Sequence, residues 1–233
     1  MQFIEASALG VRAACYRLTS ARHSIEICLF PMIHVGTADY YQAVRARLET
    51  CDVILFEGVR SRVSGILVKS YEWAVRRERL GLVTQRAALP LRALGKTLIH
   101  ADSTTAEFES DWSAVPWHWP LPITLLAPLV GAHLFLTASR ESIGSRLQTE
   151  DLPSEEDMQR GEDAPEYEAA LITQRDSRLV KTIAKLLAQP GGASRAGVVY
   201  GAAHMRAVTR FLLDAHAYRV AHGEWIDVFR YDC

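Results

Sequence analysis

The sequence predicts an α/β fold: a mainly parallel, mixed sheet flanked by helices, with a hydrophobic helical insertion around residues 112–140. Two observations predict it. Apolar runs with the character of strands alternate with amphipathic runs of helical period, which is the pattern of successive βαβ units. The 233 residues are 49 % hydrophobic and 23 % charged, the balance of a globular protein long enough to bury one sizeable core without staples. The chain is therefore read as a single domain over 1–233, within which 112–168 holds a helical, lid-like insertion and an acidic linker.

In chain order, residues 11–19 and 24–33 read as strands, 38–50 as a helix, 52–57 as a strand and 61–80 as a helix. A short strand follows at 96–101, then a helix over about 165–188. The strand Ala196–Tyr200, a helix over about 203–216 and a terminal strand near 218–230 complete the alternation. No internal repeat is present.

Two segments depart from this pattern. Residues 112–139 carry no Lys, Arg, Asp or Glu and include WHWPLPITLLAPLVGAHLFL. This length approaches a membrane span, but Pro120, Pro122 and Pro128 interrupt it, and proline inside a helix removes a hydrogen bond. The expected role is a buried helix or hydrophobic lid, with contact to a membrane surface as the alternative. Residues 150–168 are acidic and hold Pro153, Gly161 and Pro165, which reads as an exposed linker.

Charge and cysteines narrow the partners. The net charge of −1, without a basic tail, argues against nucleic acid, which needs a concentrated basic face. Cys15, Cys28 and Cys51 lie in or beside apolar runs, and with Cys233 they form no CxxC pair. Reduced core cysteines and the lack of a signal-peptide pattern lead us to expect a cytoplasmic protein. A homo-oligomer stays open.

Parallel α/β sheets bind ligands outside the carboxyl ends of their strands. IEICLFPMI leads to His34, DVILF to Glu57, and KTLI to His100 with Asp102 two residues on; AGVVYG leads through a turn of small residues to His204. Four strand ends thus carry acid–base or metal-ligating side chains, and their coincidence marks a shared site. After Gly201, His204 falls in the first turn of a helix, beside unpaired N–H groups. On the 165–188 helix, Leu171, Ile172, Leu179, Val180, Ile183, Leu186 and Leu187 cover one half of the surface. Arg175 and Asp176 fall inside that apolar half, and Arg178 at its edge. A buried charge needs a partner or a polar cavity. The two residues form an ion pair with each other or with a neighbouring helix, or Arg175 reaches the pocket.

The order of these residues resembles the TraB/PrgY/GumN family, in the wider clan of Tiki proteases and erythromycin-esterase and ChaN-like proteins. The resemblance runs over about residues 12–215, on His34, the LFEG strand end with Glu57, His100–Thr104, Arg175–Asp176 and VVYGAAH ending at His204. It implies a metal-dependent hydrolase acting on a peptide or ester bond, with a divalent ion such as Mn, Zn or Co. His34 and His204 would hold the metal, and Glu57, Arg175 and Asp102 would serve catalysis. His100, Asp176 and Gly201 are further pocket candidates. The sequence departs from the family pattern at Pro31–Met32–Ile33–His34, which lacks the first glycine of a GxxH motif, and at Asp176, where many members carry Asn. Two alternatives remain: a metal-independent esterase using His34 and Glu57, and a non-catalytic module binding a peptide, haem or lipid.

Overall fold

The structure is a computed structural model and describes residues 1–58, 80–107, 136–145, 173–189 and 192–231, with single positions at Leu126, Leu129 and His133. Its centre is a seven-stranded mixed sheet, mostly parallel, as the sequence predicts. The strands are β1 (Ile4–Ser7), β2 (Gly10–Ser20), β3 (Glu26–Met32), β5 (Val53–Phe56), β7 (Thr97–His100), β8 (Arg195–Gly201) and β9 (Tyr218–Arg230). A separate two-stranded ribbon pairs β4 (Val35–Gly36) with β6 (Val83–Thr84).

Strands β3, β8, β5 and β7 lie side by side in that order, all parallel. Antiparallel β2 pairs with β3, and β9 runs along the other edge of β2 from Ser20↔Tyr218 to Gly10↔Arg230. The short β1 covers the first residues of β2, from Ser7↔Gly10 to Ile4↔Ala13. Gly10 makes that hairpin fit: its φ is +149° and an added Cβ would lie 2.3 Å from the Phe229 carbonyl oxygen.

Period-two alternation divides the core into two layers. Cys28, Phe30 and Met32 of β3, with Ile54 of β5 and Val199 of β8, meet Tyr40, Tyr41, Val44 and Leu48 of α1 (Ala38–Leu48). Ile27 and Leu29, with Val53, Leu55, Val198 and Tyr200, face the opposite side. There they meet Leu179, Ile183 and Leu186 of α4 (Gln174–Leu187) and Met205 and Val208 of α5 (Met205–Arg210). Two short helices, α2 (Gln85–Ala88) and α3 (Arg140–Gly144), complete the described set, together with 3₁₀ turns at Leu91–Leu94 and Ala202–His204 and a π-helical turn at Phe211–Ala215. Cys15, Cys28 and Cys51 are free and buried, as read from their apolar neighbours.

Several boundaries differ from expectation. The helix predicted over 38–50 stops at Leu48, because the N–H groups of Thr50 and Cys51 close tight turns onto Arg47 and Leu48. The helix predicted over 203–216 is split, with His204 in the 3₁₀ turn before α5. The predicted helix over 61–80, the acidic linker and most of the apolar 112–139 segment lie outside the described residues. Of its described positions, Leu126, Leu129 and Leu136 are exposed and Ala138 is buried. Among the described residues, no helix is long and apolar enough to cross a membrane.

The seam between α1 and the sheet is close-packed at Gly197 of β8. An added Cβ there would lie 3.0 Å from Leu48 Cδ2 and 3.2 Å from Cys51 Sγ. Gly197→Val is expected to destabilise the fold by about 1–3 kcal/mol through overpacking. Urea unfolding should show a lower midpoint at unchanged slope.

Candidate active site

The carboxyl ends of the parallel strands converge on the α4 side of the sheet. On β5, Val53 and Leu55 face α4, so the alternation sends Glu57 to that face, and its N–H continues the ladder onto the Val199 carbonyl at 3.2 Å. Arg175, in the first turn of α4, donates from Nη2 to Glu57 Oε1 at 2.5 Å. It also grips Asp102 in a fork, Nε to Oδ1 and Nη2 to Oδ2, both at 2.8 Å. Glu57 Oε2 accepts from the Gly201 N–H at 2.6 Å. A Cβ on Gly201 would sit 3.2 Å from that same oxygen, so a side chain there would crowd the carboxylate.

Asp102 is saturated. Besides Arg175 it accepts from Ser103 N–H at 2.7 Å and Gly58 N–H at 3.1 Å, and its side chain has no exposure. Four donors fill the four acceptor positions of a carboxylate, leaving none for a metal or a water. In this structure Asp102, expected from sequence to serve catalysis, acts as an anchor for Arg175. Glu57 keeps half of its acceptor capacity.

Burial pushes both carboxyls up, and both nevertheless end below their ordinary values. For Glu57 burial is the largest single influence, and the charge and hydrogen bond of Arg175, with His34 and His204, together overcome it. For Asp102 the hydrogen bonds and charge of Arg175 and the Ser103 N–H do so. The guanidinium, disfavoured by burial, is held protonated by Asp102 and Glu57. It lies 5.5 Å from the centre of the Tyr200 ring. The Tyr200 hydroxyl is buried beside Asp102 without a well-formed hydrogen bond, and burial raises its pKa.

The histidines complete the arrangement. His204 is 5 % exposed, packed edge-on against Tyr200 at 4.9 Å, and its Nδ1 bonds Asp176 Oδ1 at 2.6 Å. Since a carboxylate only accepts, Nδ1 carries the proton and Nε2 presents a lone pair. His34 follows β3, whose last residue Met32 pairs with Gly201 on β8, so the two histidines leave neighbouring strand ends. His34 is exposed, and its Nδ1 bonds Gln85 Oε1 at 3.2 Å, which again frees Nε2. Arg175 and Asp176, two adjacent charges on the apolar half of α4, do not pair with each other: one serves the carboxylates and the other His204.

His100 stands apart. It follows Leu98 in parity and faces the α1 side, packed edge-on against Phe56 at 5.5 Å with Nε2 bonded to Gly58 O at 2.8 Å. Two contributors carried no usable sequence signal. Gln85 reaches His34 only through the β4–β6 ribbon, where its N–H bonds the His34 carbonyl at 2.9 Å. Ser103, almost fully buried, accepts from Arg178. Arg178 at the edge of the apolar half was the one trace of that contact.

No family model, curated protein or solved structure matches this chain. Among the described residues, no group of three or more His, Cys, Asp or Glu side chains is arranged to hold a metal ion. Arg175 is shared by two carboxylates, Glu57 and Asp102, while Asp176 is paired with His204.

Removing the guanidinium should be costly and should change the response to pH. Arg175→Met strands two buried carboxylates and is expected to cost about 3–5 kcal/mol at neutral pH. In the wild type the depressed carboxyls contribute stability that is present above their ordinary values of 4.5 and 3.8 and is lost as pH falls below them. In the variant, burial, the largest single influence on both carboxyls, is opposed only by the remaining N–H donors and the histidines, so stability should instead fall as pH rises above that range. Chemical denaturation between pH 4 and 7 reads the two opposite slopes.

Proposed function

We propose that this cluster is the active centre of a divalent-metal-dependent hydrolase that cleaves peptide or ester bonds, in line with the resemblance to TraB and Tiki proteins. One observation carries the reading. Two histidines at neighbouring strand ends each have Nδ1 tied to an oxygen acceptor and Nε2 free, beside a carboxylate that senses both. Acceptor-held imidazoles of this kind are the usual second-sphere arrangement of metal ligands.

His34 and His204 would hold the ion through Nε2. When bound, such an ion lowers the pKa of water and polarises a carbonyl group. The protein's own groups do the rest. Asp176 fixes the tautomer and orientation of His204. Glu57, ionised and held low by Arg175, is a weak proton acceptor, so its role is to add negative charge and to anchor the Gly201 turn. Arg175 commits Nε and Nη2 to carboxylates; Nη1 is the donor left for a developing oxyanion.

The Asp176–His204 contact also favours a second version, in which His204 removes a proton from water without a metal. Turnover of peptide and ester substrates, measured with Mn²⁺, Zn²⁺ or Co²⁺ and again after chelation, separates the two. The expected result is turnover lost on chelation and reduced about 10²–10⁴-fold in His204→Ala. Turnover that survives chelation but not His204→Ala selects the metal-free version. Ligand binding without turnover under any ion overturns both and leaves a binding module.

A further inference from the structure

A second cluster of chemistry-bearing side chains lies at the opposite end of the sheet. His23 precedes β3, and His216 follows the π-helical turn Phe211–Ala215 and leads into β9. Their ring nitrogens, His23 Nε2 and His216 Nδ1, are 3.0 Å apart. The seven-residue strands β3 and β8 separate this end from His34 and His204, roughly 20 Å of extended chain. This cluster is independent of the proposed active centre.

The pair is held from several sides. His23 stacks on Tyr218 with the rings 9° from parallel, and His216 packs on Phe211 at 4.4 Å. Ser20 Oγ donates to the His216 carbonyl at 2.9 Å. The next residue, Ala217, has φ of +53°, a left-handed conformation unfavourable for any residue with a Cβ. Strain of this kind persists only where the surroundings dictate it, and π-helical turns often mark functional positions. Here the two features flank His216 in the chain.

A groove of about 270 Å³ opens on the His23 side of the pair, lined by His23, Ser24 and the last residues of α4, Leu186 to Gln189. The carboxyl end of a helix carries partial negative charge and favours cations. Arg22 also borders the groove and opposes a cation, although its side chain is exposed to solvent.

We propose that His23 and His216 form a metal site for a divalent transition ion of the zinc class, with its remaining coordination positions open to the groove. Two metal–nitrogen bonds of about 2.0–2.1 Å, at angles between a right angle and tetrahedral, place their nitrogens roughly 2.9–3.4 Å apart. The observed spacing falls in that range, so binding needs ring rotation and little backbone movement. In the ion-free pair one imidazole donates its N–H to the other. On binding, that donor moves its proton to its other ring nitrogen through solvent, and both lone pairs face the ion. Both rings stay neutral, and no net proton is released.

The test is calorimetric titration of the full chain with Zn²⁺ in a His34→Ala/His204→Ala background, which removes the proposed active-centre ligands. One ion per chain is expected, with affinity weakened roughly tenfold or more by His23→Ala or by His216→Ala and unchanged by His222→Ala on the exposed part of β9. Melting temperatures measured alongside confirm that each variant folds, and Zn²⁺ should raise that of the parent alone. Absence of Zn²⁺ binding in the parent, or binding indifferent to His23→Ala in a folded variant, overturns the site and reduces the pair to a hydrogen bond. Neither result bears on hydrolysis at the other end of the sheet.

Discussion

One guanidinium holds the carboxyl edge of the sheet together. Arg175 joins the loop after β5, through Glu57, to the loop after β7, through Asp102, and fastens both to the start of α4. Glu57 in turn accepts the Gly201 N–H, which brings in the end of β8. Burying three charges is expensive unless every one is matched. Asp102 meets that condition with four donors, and Glu57 meets it with two while retaining acceptor capacity. The asymmetry has a chemical consequence. The fully satisfied carboxylate is inert and serves as a fixed post, whereas the half-satisfied one stays available to a visiting cation or water.

The parts of this arrangement governed by a period were legible from sequence. Alternation along β5 carries Glu57 to the α4 face, and the helical period places Arg175 and Asp176 among apolar neighbours, where unpaired charges would not be tolerated. The choice of partner was not legible. Adjacent residues on a helix diverge by about 100°, so Arg175 and Asp176 reach different targets, and only the packing of α4 on β5 and β8 decides which. His100 shows the same limit in reverse: a strand-end histidine resembles its neighbours in the sequence, yet one step of parity turns it to the α1 side of the sheet. The four-residue β1 and the two-residue β4 and β6 are too short to show a period. Gln85, placed by that ribbon, was invisible for the same reason.

The two histidines differ in a way that bears on how a substrate would approach. His204 is buried, fixed by a carboxylate, and hemmed in by Tyr200. His34 is exposed and held by a neutral amide on the small β4–β6 ribbon. A carboxylate partner orients an imidazole more strongly than an amide does, because the charge-assisted bond is about twice as strong. In the hydrolase reading His204 is therefore the rigid reference for the centre, and His34 is the member that adjusts. Solvent reaches the cluster on the His34 side, since the His204 side is closed by Tyr200 and the α4–sheet core. A bond to be cleaved would enter past His34, with Arg175 Nη1 as the remaining donor for charge that develops on its carbonyl oxygen. The same geometry bears on the residues three places before each histidine, Gly201 before His204 and Pro31 before His34. A motif that must pass close to a buried carboxylate needs the bare backbone found at Gly201, 3.2 Å from Glu57, whereas an exposed histidine at the mouth of the site has no such requirement.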